Sequence, residues 1–187
     1  GAASPLYRNA IGDECVYVEA GAATVETVFG VLTARQGDYV ILPRGTTHRW
    51  LPDGPDPLRA LVIEANSHIA PPERYLSRSG QFLEHAPYCE RDLRSPTEPL
   101  LVTGPAPAAG PAGSKPDGPD GPDGPEGAGG SDAAGAAGAS GVEVLVKHRS
   151  PHGENGGVAG TRYRCAGHPF DVVGWDGCLY PYAFNIA

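Results

Sequence analysis

Methionine is absent from all 187 residues, position 1 included, and from this we expect the natural start to lie elsewhere. Cysteine occurs four times (Cys15, Cys89, Cys165, Cys178) and never as a CxxC pair. That spacing excludes a zinc knuckle and a dithiol redox motif, and leaves reduced, mostly buried thiols as the expectation. No stretch reaches the ~18 consecutive apolar residues of a membrane-spanning helix. The N-terminus has no basic region followed by an apolar one, so we expect a cytoplasmic protein without an export signal. Positive charge is also scarce: 14 Lys and Arg face 22 Asp and Glu, a net charge of -8. Without a basic stripe, neither nucleic acid nor an anionic membrane is an expected partner. The GxSxG elbow, HExxH, and a GxGxxG between strand and helix are missing, which removes the commonest signatures of hydrolases, zinc proteases and dinucleotide binders.

Glycine and proline, in contrast, are abundant, 27 and 20 residues, and they are concentrated. Residues 104–141 hold 12 glycines and 7 prolines, with no aromatic residue and no aliphatic one larger than alanine. Such a segment buries too little apolar surface to offset its ordering entropy, so it reads as a disordered acidic insert. Its PDG triplets imitate collagen for only about four repeats, too few for a triple helix. The domain plan is therefore an N-terminal unit over residues 1–103, the insert over 104–141, and returning strands over 142–187. The 149 residues outside the insert amount to one domain.

Strand-length runs rich in β-branched and aromatic residues recur between Gly, Pro and Asp clusters: Glu14–Glu19, Thr24–Gly30, Asp38–Pro43, Arg59–Ala65, Val142–His148, Thr161–Cys165 and Phe170–Trp175. Their spacing predicts an all-β, antiparallel sandwich or barrel. One short helix is expected over Pro71–His85, opened by prolines and interrupted by Gly80.

The stretch GDYVILPRGTTHRW, residues 37–50, has the spacing Gx5PxGxxH, in which a glycine turn enters a strand, a Pro-x-Gly corner redirects the chain and His48 then points into the barrel mouth. This resembles the second cupin motif. The first cupin motif calls for an HxH pair, a glutamate three or four residues later and a glycine beyond. Glu14 and Gly21 suit its second half, and Arg8 and Ala10 stand at the histidine positions. A guanidinium and a methyl group do not ligate a divalent cation, and Glu14 with His48 falls short of the ~3 protein ligands of an open metal site. We therefore read Glu14 and His48 as vestigial cupin positions and His48 as a structural residue. His68, His85, His148, His152 and His168 do not lie at ligand spacings. Cys89 with His85 lacks an orienting third group, and Glu90 and Asp92 read as a solvated or salt-bridged loop.

Longer blocks carry a wider resemblance. SPLYRNAIGDECVYVEAG, ETVFG, GDYVILPRGTTHRW, IEANSHIAPPERYLSRSGQFLEHAPYCERDLRSP, VEVLVKHR and HPFDVVGWDGCLYPYAFNI together resemble homogentisate 1,2-dioxygenase in its bacterial, actinobacterial-like form. The resemblance implies a double-cupin jelly-roll enzyme of tyrosine and phenylalanine breakdown. Such an enzyme uses non-haem Fe(II) and O2 for extradiol-type opening of the ring of homogentisate to maleylacetoacetate, and is built from trimers. It implies that the iron ligands and the acid/base histidine follow the PYAFN block, in a second cupin half, so no catalytic, cofactor-binding or metal residue is assigned here. This chain then corresponds to an interior segment, the structural, non-catalytic cupin, inactive alone. Two other readings stand beside it: a metal-free degenerate cupin that binds a small ligand or serves as a structural module, and a metal enzyme using Glu14, His48 and borrowed histidines.

Overall fold

The computed structural model describes residues 2–98, 100–102, 141–150, 157–171 and 179–185. Ten strands are present among them: β1 (Leu6–Asn9), β2 (Asp13–Ala20), β3 (Ala22–Thr27), β4 (Gly30–Arg35), β5 (Asp38–Leu42), β6 (Thr47–Asp53), β7 (Arg59–Ala65), β8 (Val142–Arg149), β9 (Val158–Cys165) and β10 (Tyr182–Asn185). They form two sheets, ordered β4-β3-β6-β1-β8-β9 and β10-β5-β2-β7.

Alternation of side chains builds the core between them. Val16 and Val18 of β2, Val25 of β3, Leu32 and Ala34 of β4, and Val40 and Leu42 of β5 all point inward, joined by Ala183 of β10. A second cluster of Leu6, Val144 and Phe170 lies where β1 runs beside β8. That ladder is parallel, with Leu6 opposite Val144, and is the exception to the antiparallel pairing among the described residues. Parallel neighbours need a long connection, which here spans everything from β2 to β7. The insert expected over 104–141 lies outside the described residues, apart from Gly141.

Four strands escaped the sequence reading: β1, β4, β6 and β10. β1 and β10 are four residues long, and β6 contains Pro52, which pairs with Ala23 at the strand's far end. The expected strand from Phe170 is instead a turn, in which the Asp171 N–H donates to His168 O (2.9 Å); residues 172–175 lie outside the described residues. The helix expected over Pro71–His85 is also corrected. It shrinks to one 3-10 turn, Glu73–Tyr75, after which Leu76 is extended. Ser77 Oγ accepts the N–H groups of Ser79 and Gln81, and the Ser77 N–H donates to Gln81 O, so local side-chain bonds divert the backbone from helical pairing.

An aromatic layer holds this loop to the four-stranded sheet. Tyr39 stacks on Phe184 at 5.4 Å, Phe184 on Tyr88 at 5.4 Å, and Tyr88 meets Tyr75 edge-on at 5.3 Å. Fully buried Asp38 adds a polar fastening: it accepts from the Arg35 N–H (2.7 Å), the Asn185 amide (2.9 Å) and the Arg94 guanidinium. β7 is an edge strand that leaves Leu61, Val62 and Ile63 largely exposed.

Candidate functional site

The Gx5PxGxxH stretch performs the mechanics that its spacing suggested. Gly37 turns at φ +85°, and a Cβ there would approach Asn185 Nδ2 to 3.1 Å. β5 follows, and the corner Pro43–Thr46 closes with a Thr46 N–H to Pro43 O bond of 3.1 Å. Two contacts dock that corner on the neighbouring strands: the Gly45 N–H donates to Asn9 O (2.7 Å), and the Arg44 N–H to Asp13 Oδ1 (2.8 Å). The chain then enters β6 with His48 between Tyr7 of β1 and Thr27 of β3.

Asp13 is the clasp of this arrangement. Its Oδ2 also accepts the Ile69 N–H (2.8 Å) and faces His68 Nδ1 (2.8 Å), so one buried carboxylate ties the corner to the loop after β7. Burial by itself would raise its pKa, but the bonds from Arg44, Ile69 and His68 outweigh that and hold it below the ordinary carboxylate range. Asp13→Ala strands two backbone donors and should cost about 2 to 3 kcal/mol. A shift in urea midpoint equivalent to less than about 0.5 kcal/mol would reject the clasp.

Glu14 and His48 do come together. His48 is 4% exposed, and its Nε2 lies 3.9 Å from Glu14 Oε2. His48 Nδ1 is 3.2 Å from Thr46 O; a carbonyl only accepts, so Nδ1 carries the proton and Nε2 presents a lone pair. Burial pushes the His48 pKa down to about 4, with the bond to Thr46 opposing it, so the ring is neutral at physiological pH and the approach to Glu14 is no ion pair. Burial raises the Glu14 pKa, against the stabilising bonds from Asn9 and Tyr7.

The partners of this pair differ from those the sequence suggested. Arg8 Nε donates to Thr47 Oγ1 (2.8 Å), away from the pair, and Ala10 is exposed. The residues beside Glu14 and His48 are Tyr7 and Asn9. Asn9 Nδ2 donates to Glu14 Oε1 (3.0 Å), the Tyr7 hydroxyl bonds Glu14, and the Tyr7 ring meets His48 edge-on at 5.5 Å. Four residues, not three, separate the second position from Glu14. The extra one is taken up by an Asx turn, in which Asn9 Oδ1 accepts the N–H groups of Ile11 (2.9 Å) and Gly12 (3.2 Å). The local feature that goes with this register, Asn9 followed by Gly12 in a short link, was not used in the sequence reading.

A cavity of about 430 Å³ opens onto the group, lined by Tyr7, Glu14, Val16, His48, Trp50 and Val62 among others. At its side Lys147 of β8 pairs with Glu64 of β7, joining the two sheets. The remaining candidates lie elsewhere: His68 on Asp13, His148 on Thr161 Oγ1 at the surface, His168 against Phe170, and His85 exposed. His152 and Cys178 lie outside the described residues. Cys89 is buried and Cys15 and Cys165 half-buried, all free thiols; the Cys89 N–H donates to Asp92 Oδ2 (2.8 Å), and Glu90 is exposed.

Iron does not fit here. Among the described residues no group of three His, Cys, Asp or Glu converges, and the amide of Asn9 and hydroxyl of Tyr7 are committed to Glu14.

Comparison with known proteins agrees with the architecture. Residues 1–64 match the family described as Cupin domain. Over 182 residues, 97% of the chain, the sequence is 29% identical to a protein of Saccharolobus solfataricus named "Putative dioxygenase", of whose length the chain spans 35%. The matched residues run from the start of the chain almost to the end of β7, and with the two sheets they identify the fold as a cupin jelly-roll sandwich.

Proposed function

We propose that this chain is the scaffold cupin of a homogentisate 1,2-dioxygenase, a cytoplasmic enzyme assembled from trimers that opens its substrate's ring with Fe(II) and O2. The metal and the reacting groups belong to a second cupin half, outside these residues. The observation that carries this reading is the chemistry at the four cupin ligand positions: Tyr7 and Asn9 bond Glu14, the Tyr7 ring packs on His48, and only Glu14 and His48 keep atoms that could ligate an ion, short of the ~3 that an open metal site needs. The 29% identity to a dioxygenase-named relative, over nearly the whole chain but a third of that relative, supports a dioxygenase-type parent.

The purified 187-residue chain should contain no stoichiometric iron after anaerobic Fe(II) loading and desalting, and should show no homogentisate-dependent O2 uptake. A protein extended through a second cupin half should show both. Stoichiometric iron on the short chain overturns the scaffold reading.

A second reading, a metal-free cupin that holds a small ligand, is favoured by the apolar cavity over Glu14 and His48. It is compatible with the first, since a scaffold half can still bind a ligand.

A further inference from the structure

The cavity has two hydrogen-bond acceptors on its floor and apolar walls. Glu14 Oε2 and His48 Nε2 sit side by side at 3.9 Å, and the Thr46 carbonyl fixes the imidazole as an acceptor on that side. Around them stand Val16, Trp50, Leu58, Ala60 and Val62. No Lys or Arg is among the lining residues and the nearby Lys147 is paired with Glu64, so a carboxylate ligand would face Glu14 with no uncommitted cation among the lining residues.

We propose that this cavity binds a primary amine carried on an apolar body of about one aromatic ring, its ammonium bridging Glu14 Oε2 and His48 Nε2. The proposal rests on the small-ligand reading and names its ligand class. An ammonium nitrogen about 2.8 Å from each acceptor would subtend roughly 90° between them, close to the spread of its own N–H bonds. A hydroxyl brings one proton and satisfies only one of the two. Tyr7 and Trp50 add aromatic surface to the lining, and the 430 Å³ volume suits a single ring with a short chain.

Calorimetric titration of the full chain at pH 8 with phenethylamine, 2-phenylethanol and 3-phenylpropionate tests this with near-isosteric probes. The amine should bind at one site at least tenfold more tightly than the alcohol, and the acid should give no binding heat. Glu14→Gln should cut amine affinity at least tenfold while leaving the alcohol unchanged. Val62→Trp, at an exposed position on the cavity wall, should abolish binding of both with the circular dichroism spectrum unaltered, and it keeps the test decisive if the Glu14 variant fails to fold. Alcohol binding as tight as the amine, or amine binding indifferent to Glu14→Gln, overturns the amine assignment and leaves a ligand-binding cupin. Absence of binding by all three probes overturns both.

Discussion

Replacing Phe170 with alanine should lower the free energy of unfolding by about 3 to 5 kcal/mol, the range for removing a buried phenylalanine from a packed site. Phe170 is fully buried against Leu6 and Val144, the two residues that face each other across the parallel β1–β8 ladder. Its backbone is committed as well: the Phe170 N–H donates to His168 Nδ1 (3.1 Å), and Phe170 O accepts the Val102 N–H (2.9 Å). One side chain thus joins the segment after β9 to β1 and to the stretch before residue 103. Tm should drop by roughly 10 °C or more for a chain of this size. In hydrogen exchange, the amides of β8 and β9 should lose protection ahead of those of β2 and β5. Leu61→Ala, at an exposed position on β7, should change stability by less than about 0.5 kcal/mol and serves as the control. A Phe170→Ala variant as stable as the parent would show that the second core is not a stabilising element.

Acid should destabilise the fold well before its carboxylates titrate. In the unfolded chain His48 protonates near 6.5, whereas burial holds it neutral in the fold down to about 4. Above pH 6.5 both states are neutral and no penalty exists. As pH falls from 6.5 towards 4, only the unfolded chain takes up the proton, so stability declines, reaching a loss of about 3 kcal/mol once pH is below both values. Burial and the charge of Arg49 lower the pKa of His168, which acts in the same direction. Glu14, whose pKa is raised, opposes them: its burial penalty is present at neutral pH and is relieved on protonation. Asp13, whose pKa is lowered, keeps its contribution above the ordinary carboxylate range and loses it as pH falls through that range towards its depressed folded pKa. Urea unfolding at pH 7.5, 6.5, 5.5 and 4.5 measures the slope. His48→Gln should flatten most of it, and an unchanged slope in that variant would assign the acid sensitivity elsewhere.

The motif around His48 was legible because every part of it is local. The Gly37 turn, the Pro43–Thr46 corner and the strand start at Thr47 depend on residues within a dozen positions, and each has a steric or hydrogen-bonding reason. Of the strands that build the inner core, β2, β3 and β5 were legible for a similar reason, since alternation alone separates Val16 and Val18 from Tyr17, whereas β4 and β10, which supply Leu32, Ala34 and Ala183, were not. The helix over Pro71–His85 was misread because two serine-centred bonds and an aromatic contact with the sheet compete with a weak helical pattern.

What the sequence by itself determined is the all-β sandwich and the corner that aims His48 inward. What only the tertiary structure decided is which residues complete the site. A one-residue slip on β1 exchanges Arg8 and Ala10 for Tyr7 and Asn9, because neighbouring residues of a strand face opposite sides. That register is set by pairing with β6 and by the parallel ladder to β8, more than a hundred residues away in the chain. Contacts at that separation are made by the closing of the two sheets, and the spacing ahead of Glu14, which admits either register, does not choose between them.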